Sequence, residues 1–231
     1  MVNIDELLEI NGYRLVMTNL DAGPMGPSWD RFNPNRVNAL KGIGLEASEV
    51  YFVRQQHTKE IVSTEEWLAH PLTEADGLIS RRSPDSIAVT VADCMPVYLH
   101  DRKKDVRAIL HSGWKGTGIA EKALERMVRE YGCMAADVTA VLGPAIGACC
   151  YNVDNDRADF FRNTWGADSV EKRGGKNYIS LRKANIAMLE KAGISEIVSV
   201  DKCTACSSAL GSFRREGAGT FTQMFCLSYR K

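Results

Sequence analysis

A chain of 231 residues with 45% hydrophobic and 25% charged side chains is long enough to bury a core and has the balance of a folded soluble domain. Its 29 basic and 29 acidic residues cancel, so no overall charge bias draws it to nucleic acid or to an anionic membrane. No apolar run reaches the ~18 residues of a transmembrane helix. The N-terminal residues mix acidic with apolar side chains, unlike a signal peptide, and seven scattered cysteines argue against a disulfide framework; both point to the cytoplasm.

In chain order, residues 13–18 read as a first strand and the Gly- and Pro-rich segment 21–27 as irregular. A helix is predicted over 36–45, ending at Gly44. Residues 49–55 and 60–63 read as short strands, the first leading to Gln56 and His57. The β-branched run 87–91 predicts a central strand buried on both faces, with Cys94 just past its end. Residues 97–100 and 106–110 flank a charged connection short enough for a hairpin, and His111 ends the second arm.

Ile119, Ala120, Ala123, Leu124, Met127, Val128 and Tyr131 recur at helical spacing, with Thr117 as the expected cap and Gly132 as the left-handed residue after the end. The turn through Gly113 and Gly116 would leave backbone N–H groups free at this helix start, a place for phosphate. Further strands are predicted at 138–142, 178–181, 196–200 and 223–228, and helices at 155–165 and 182–192. Without repeats or linkers, a single α+β domain over 1–231 is the economical reading.

The chain has four histidines, so a site with two imidazoles has few choices. His57 and His111 each follow an apolar strand, as Cys94 nearly does, and two imidazoles with one thiolate are ligands zinc prefers, leaving a fourth position open. A lone histidine at a strand end is more often simply hydrogen-bonded, and Cys94 could be an inert buried thiol. Cys203 and Cys206 form a CxxC pair after a strand, which suggests half a zinc ribbon or a redox disulfide. A ribbon needs a second pair, for which the adjacent Cys149 and Cys150 have the wrong spacing, and a thioredoxin-like site expects a helix after the first cysteine, so neither reading is favoured and the role of the pair stays open. Trp114 could stack on a base or fill core. Arg214 and Arg215 are the most plausible anion-binding pair.

Taken together, Gln56-His57, Ala75-Asp76-Gly77, Ala92-Asp93-Cys94-Met95-Pro96, His111-Ser112-Gly113-Trp114-Lys115-Gly116, Gly143-Pro144-Ala145-Ile146-Gly147 with Cys150-Tyr151-Asn152-Val153, Cys203-Thr204 and Ser212-Phe213-Arg214-Arg215-Glu216-Gly217 occur in an order that resembles the laccase-domain family. That family was named multicopper polyphenol oxidase and is now regarded as purine nucleoside phosphorylase. The resemblance implies a four-layer α/β/β/α sandwich with mixed sheets and a zinc site at His57, Cys94 and His111. It also implies phosphorolysis of adenosine, inosine, guanosine and 5'-methylthioadenosine, with adenosine deaminase activity at the same site. Asp76 and Asp93 are candidates for acid/base work or for orienting a zinc-bound histidine. Gly113, Trp114, Arg214 and Arg215 are candidates for substrate binding, and Arg215 also for catalysis.

Two stretches depart from the family pattern. Residues 18–24 lack its arginine and Gly-Gly-Val-Ser-like turn, and Gly219-Thr220-Phe221-Thr222 stands where Thr-Gly-Arg is expected. Both would alter phosphate or nucleoside binding. A rival reading is a cysteine hydrolase or amidase with Cys94 as nucleophile and His111 as base. Copper-dependent phenol oxidation needs many more histidines than four, which makes copper the less favoured metal.

Overall fold

Side chains alternate across a strand, and where both sets are apolar the sheet must be covered on both faces. The computed structural model describes residues 3–27, 30–82 and 84–230. Its strands are β1 (Ile4–Ile10), β2 (Tyr13–Thr18), β3 (Val50–Phe52), β4 (Ile61–Ser63), β5 (Gly77–Ser80), β6 (Ser86–Val91), β7 (Met95–Asp101), β8 (Val106–Ser112), β9 (Val138–Leu142), β10 (Asn152–Val153), β11 (Val170–Arg173), β12 (Lys176–Ile179), β13 (Glu196–Ser199) and β14 (Met224–Arg230). The helices are α1 (Pro34–Gly42), α2 (Thr64–Ala69), α3 (Ile119–Tyr131), α4 (Asn155–Trp165), α5 (Leu181–Lys191) and α6 (Phe213–Glu216).

Two mixed sheets carry the fold: a five-stranded one ordered β1-β2-β14-β6-β3 and a six-stranded one ordered β13-β9-β7-β8-β5-β4. Leu15, Met17, Ile87, Val89 and Cys226 of the first pack against Leu78, Tyr98, Ile109 and Val141 of the second. Their neighbours in the same strands point outward. Val16, Ala88 and Leu227 meet Leu40 of α1, whereas Ile79, Leu99, Ala108 and Ala140 meet Ala123 and Met127 of α3 and Leu189 of α5. The layers therefore run α/β/β/α. Strand β6 is buried along its whole length, as its composition predicts.

Local chemistry moves several boundaries. Helix α1 starts at Pro34 because the Asn33 side chain accepts from Asn35 and Arg36 N–H, and proline suits the first turn. Thr117 does not cap α3: Gly118 does, at φ +103°, while the Thr117 hydroxyl donates to the Gly113 carbonyl at 2.8 Å. Gly132 closes α3 in the left-handed region as expected. The polar, half-exposed β1 and β11 have no strong period-two pattern and were not anticipated.

Candidate metal centre and active-site pocket

The site lies where the chain changes sheets. From β3 to β4 it passes from the five-stranded to the six-stranded sheet through His57, and from β6 to β7 it does so again through Cys94. Strand β8 ends beside the start of β7, where His111 pairs with Pro96. Three separate strand ends thus deliver three donors to one place. The nitrogen and sulfur ligand atoms of His57, Cys94 and His111 all lie within 4.8 Å of one another.

Two crossover residues hold left-handed backbone that side chains rarely adopt, His57 at φ +59° and Asp93 at φ +74°. Both are tied down. Asp76, fully buried, accepts from the N–H groups of Gln56, His57 and Thr58, from the Thr58 hydroxyl, and lies 2.8 Å from His111 Nδ1. Burial works against its charge, but the bonds from His111 and Thr58 prevail and bring the carboxyl down to about 2. Asp93 is fixed through both oxygens, one accepting from the Thr204 hydroxyl and the other from Arg214 N–H at 2.7 Å.

His111 is buried, Cys94 partly exposed and His57 exposed, so the cluster opens on one side. Burial opposes a thiolate at Cys94, yet the imidazoles of His111 and His57 bring it down to about 6. His111 is correspondingly raised: burial lowers it, and the Cys94 and Asp76 charges outweigh that. Close packing keeps the sulfur in place, since a Cβ at Gly113 would lie 2.7 Å from Cys94 Sγ. A thiolate, a histidine whose second nitrogen is fixed by a carboxylate, and a second, exposed imidazole make a donor set that fits a transition-metal ion with an open position.

The cluster forms part of the wall of a cavity of about 610 Å³, a volume suited to a small-molecule ligand. Trp114, Tyr151, Phe213 and Phe221 give it aromatic walls, Gln55 and Gln223 supply amides, and Arg157 and Arg214 supply charge. Arg157 stacks over Trp114 at 4.2 Å, and its buried Nε has no hydrogen-bond partner among the described residues. Arg214 lies over Tyr151 at 5.3 Å, and its guanidinium donates to the Cys150 and Asn152 carbonyls and to the Asn152 side-chain oxygen. Asp93 lines the cavity; Asp76 does not, and it acts through the histidines.

Other candidates fall differently. Arg215 is not among the lining residues. Its guanidinium is committed to the carbonyls of Thr204, Ser207 and Leu210 and to the Glu216 carboxylate, and so braces the 204–210 loop. Gly113 lies against the Cys94 sulfur and leaves no room there for a side chain. Arg157 went unread because it sits in an amphipathic helix, where an arginine normally marks a solvated face. Phe221, noted only as a departure, packs edge-on against Phe213 at 5.1 Å. Cys149 and Cys150, whose spacing does not fit the second pair of a zinc ribbon, nevertheless meet Cys203 and Cys206, for the four sulfurs gather at one point.

Fold and site together define an α/β/β/α protein with a Cys-His-His cluster beside an aromatic, arginine-bearing pocket. The chain belongs to the family described as multi-copper polyphenol oxidoreductase laccase, which matches residues 24–228. It is 32% identical over 178 residues to a protein of Clostridium acetobutylicum named purine nucleoside phosphorylase, covering 75% of this chain and 74% of that one. A protein of the same name from Aquifex aeolicus is 32% identical over 188 residues, 80% of this chain and 85% of the other. The mouse purine nucleoside phosphorylase LACC1 is 29% identical over 81% of this chain, which spans only 45% of the mouse protein. Among solved structures, the hypothetical protein YfiH of Bacillus licheniformis superposes with a TM-score of 0.89 at 27% identity, covering 100% of this chain and 97% of that one. No helix among the described residues is long and apolar enough to cross a membrane.

Proposed function

We propose that this protein is a zinc-dependent purine nucleoside phosphorylase, taking adenosine, inosine, guanosine and 5'-methylthioadenosine, with adenosine deaminase activity in the same pocket. One observation carries the reading: a Cys94-His57-His111 donor set and the unpartnered Nε of Arg157 border one aromatic cavity. The names of the bacterial relatives agree with it.

In phosphorolysis a phosphate oxygen bonds to ribose C1' as the bond from C1' to the purine nitrogen breaks, and the leaving base takes a proton. Arg157 holds the phosphate by charge and hydrogen bonds, while Arg214, whose guanidinium is already bonded to the Cys150 and Asn152 carbonyls and to the Asn152 side chain, adds positive charge to the wall. Trp114, Tyr151, Phe213 and Phe221 offer faces for the purine and shed water from the reacting centre. Asp93 orders the pocket floor through Thr204 and Arg214. Asp76 keeps His111 presenting its other ring nitrogen to the cluster. His57, Cys94 and His111 would hold a zinc ion, which would supply a Lewis acid and water of lowered pKa, the chemistry needed to replace the adenosine amino group by oxygen.

Incubation with adenosine, with and without phosphate, tests the proposal. Phosphate-dependent release of adenine and ribose 1-phosphate supports the phosphorylase, inosine supports the deaminase, and absence of turnover across purine nucleosides removes both. The depressed Cys94 thiol beside His111 favours a second reading, a cysteine hydrolase. Full activity in metal-free protein, abolished by thiol alkylation, would select it. Metal analysis of the same samples separates zinc from copper, since both accept two imidazoles and a thiolate. The cytoplasm is the compartment we infer, where seven free thiols persist.

A further inference from the structure

Cys149 and Cys150 follow β9 in one loop, and Cys203 and Cys206 sit in the loop after β13. Their four sulfurs lie within 4.8 Å of one another, with Cys150 and Cys206 3.3 Å apart and Cys149 and Cys206 3.6 Å apart. A disulfide brings sulfurs to about 2.05 Å, far shorter than these spacings. Four thiolates at about 2.3 Å around a tetrahedral zinc ion stand about 3.8 Å from one another, which these separations bracket.

We propose that Cys149, Cys150, Cys203 and Cys206 form a second metal site, a closed tetrathiolate centre for zinc that fastens the two loops bordering the pocket. The surroundings suit it. The Gly147 N–H donates to Cys203 Sγ at 3.2 Å, the kind of bond that holds a metal-bound thiolate. Residue 147 is closely packed by the cluster, since a Cβ there would stand 3.1 Å from Cys149 Sγ and 3.3 Å from Cys203 Cβ.

Binding converts four thiols to thiolates, releases four protons to solvent and changes no oxidation state. The resulting net charge of minus two faces three arginines: Arg173 on the Ala148 and Cys149 carbonyls, Arg214 on the Cys150 carbonyl, and Arg182, paired with Asp201 and within the field of Cys203. With all four ligands from protein there is no open position, so the centre is structural. Its reach into the pocket is short. Cys203 bridges Ala145, Thr204 N–H donates to the Ala145 carbonyl, and the Thr204 hydroxyl holds Asp93 beside Cys94.

Counting metal on protein purified without chelator, by native mass spectrometry, tests this independently of the pocket chemistry. A Cys203→Ser/Cys206→Ser variant is expected to hold one zinc ion per chain fewer than wild-type protein, whatever the pocket cluster binds. Because that variant could fail to fold, the second arm uses Cys94→Ala. It should retain one zinc ion with sulfur-only ligation at about 2.3 Å by X-ray absorption. A Cys94→Ala protein without metal, a double-serine variant that holds as many zinc ions as wild-type protein, or a Cys206 disulfide to Cys149 or Cys150 in protein prepared without oxygen would overturn the proposal.

Discussion

Asp76 Oδ1 lies 2.8 Å from His111 Nδ1 and also accepts the backbone N–H of His57 at 3.0 Å, so one carboxylate oxygen sets both imidazoles of the cluster. It fixes the ring of one and the strained backbone of the other. Asp76→Asn keeps the shape but places an amide among five donors. Metal affinity of the variant, measured by chelator competition, should fall ~10- to 100-fold, as for other carboxylates behind a ligating histidine. Unchanged affinity would show that the cluster needs no such orientation.

The same carboxylate gives an acid dependence of stability. Its folded pKa of about 2 lies below the usual 3.8, so its contribution is full above pH 3.8 and is lost as pH falls through 2. A shift of that size is worth about 2 kcal/mol. Urea unfolding of metal-free protein should therefore lose stability between pH 4 and 2, and Asp76→Asn should flatten that limb. Equal slopes for the two proteins would assign the acid lability to other groups.

The sequence shows most of this frame because the inner strands are apolar on both faces. The 87–91 run and the 97–110 hairpin declare themselves, and α3 shows its buried stripe through Ala123 and Met127. The cluster too is visible as three donors at strand ends. What is hidden depends on long-range approach. Arg157 looks like any surface arginine until α4 carries it to Trp114. Cys149-Cys150 and Cys203-Cys206 read as unrelated until parallel pairing of β13 with β9 sets their loops side by side. Arg215 shows the converse: adjacent arginines suggest an anion site, yet one of them bonds carbonyls of its own loop.

Cys94 gives a chemical readout of the cluster. In metal-free protein its pKa of about 6 places the thiolate well below the ordinary thiol range, so iodoacetamide labelling of Cys94 should rise through pH 6 rather than near 8.5. His111→Ala removes the largest favourable influence and should return the midpoint upward. Zinc added beforehand should protect the residue. Peptide mass spectrometry across a pH series reads all three, and a wild-type midpoint above pH 8 would contradict the thiolate-imidazolium arrangement.

Arg157 and Arg215 are predicted to differ in kind. Arg157→Ala removes a charged donor at the cavity and should raise the phosphate KM ~10- to 100-fold, the equivalent of 1.5–3 kcal/mol for a charge-assisted bond. Folding stability should change little. Arg215→Ala instead strips the brace from the 204–210 loop and should lower stability by ~1–3 kcal/mol, with the phosphate KM altered less than by Arg157→Ala. Paired steady-state kinetics and urea titrations decide; a larger KM effect at Arg215 would restore it to the anion site.

Gly113 offers the sharpest steric test, because a Cβ there would lie 2.7 Å from Cys94 Sγ and 3.7 Å from His57 Cδ2. Carbon and sulfur do not approach so closely without displacement, and the thiol is the side chain that must yield. Moving it draws one ligand away from the other two while β7 and β8 keep their register. Gly113→Ala should therefore cost at least ~10-fold in metal affinity at this cluster, with an overpacking penalty of ~1–3 kcal/mol in the metal-free protein. Circular dichroism should report an intact fold and chelator competition the loss of binding. Wild-type affinity in this variant would mean that the sulfur has room to spare and that packing against Gly113 does not set its position.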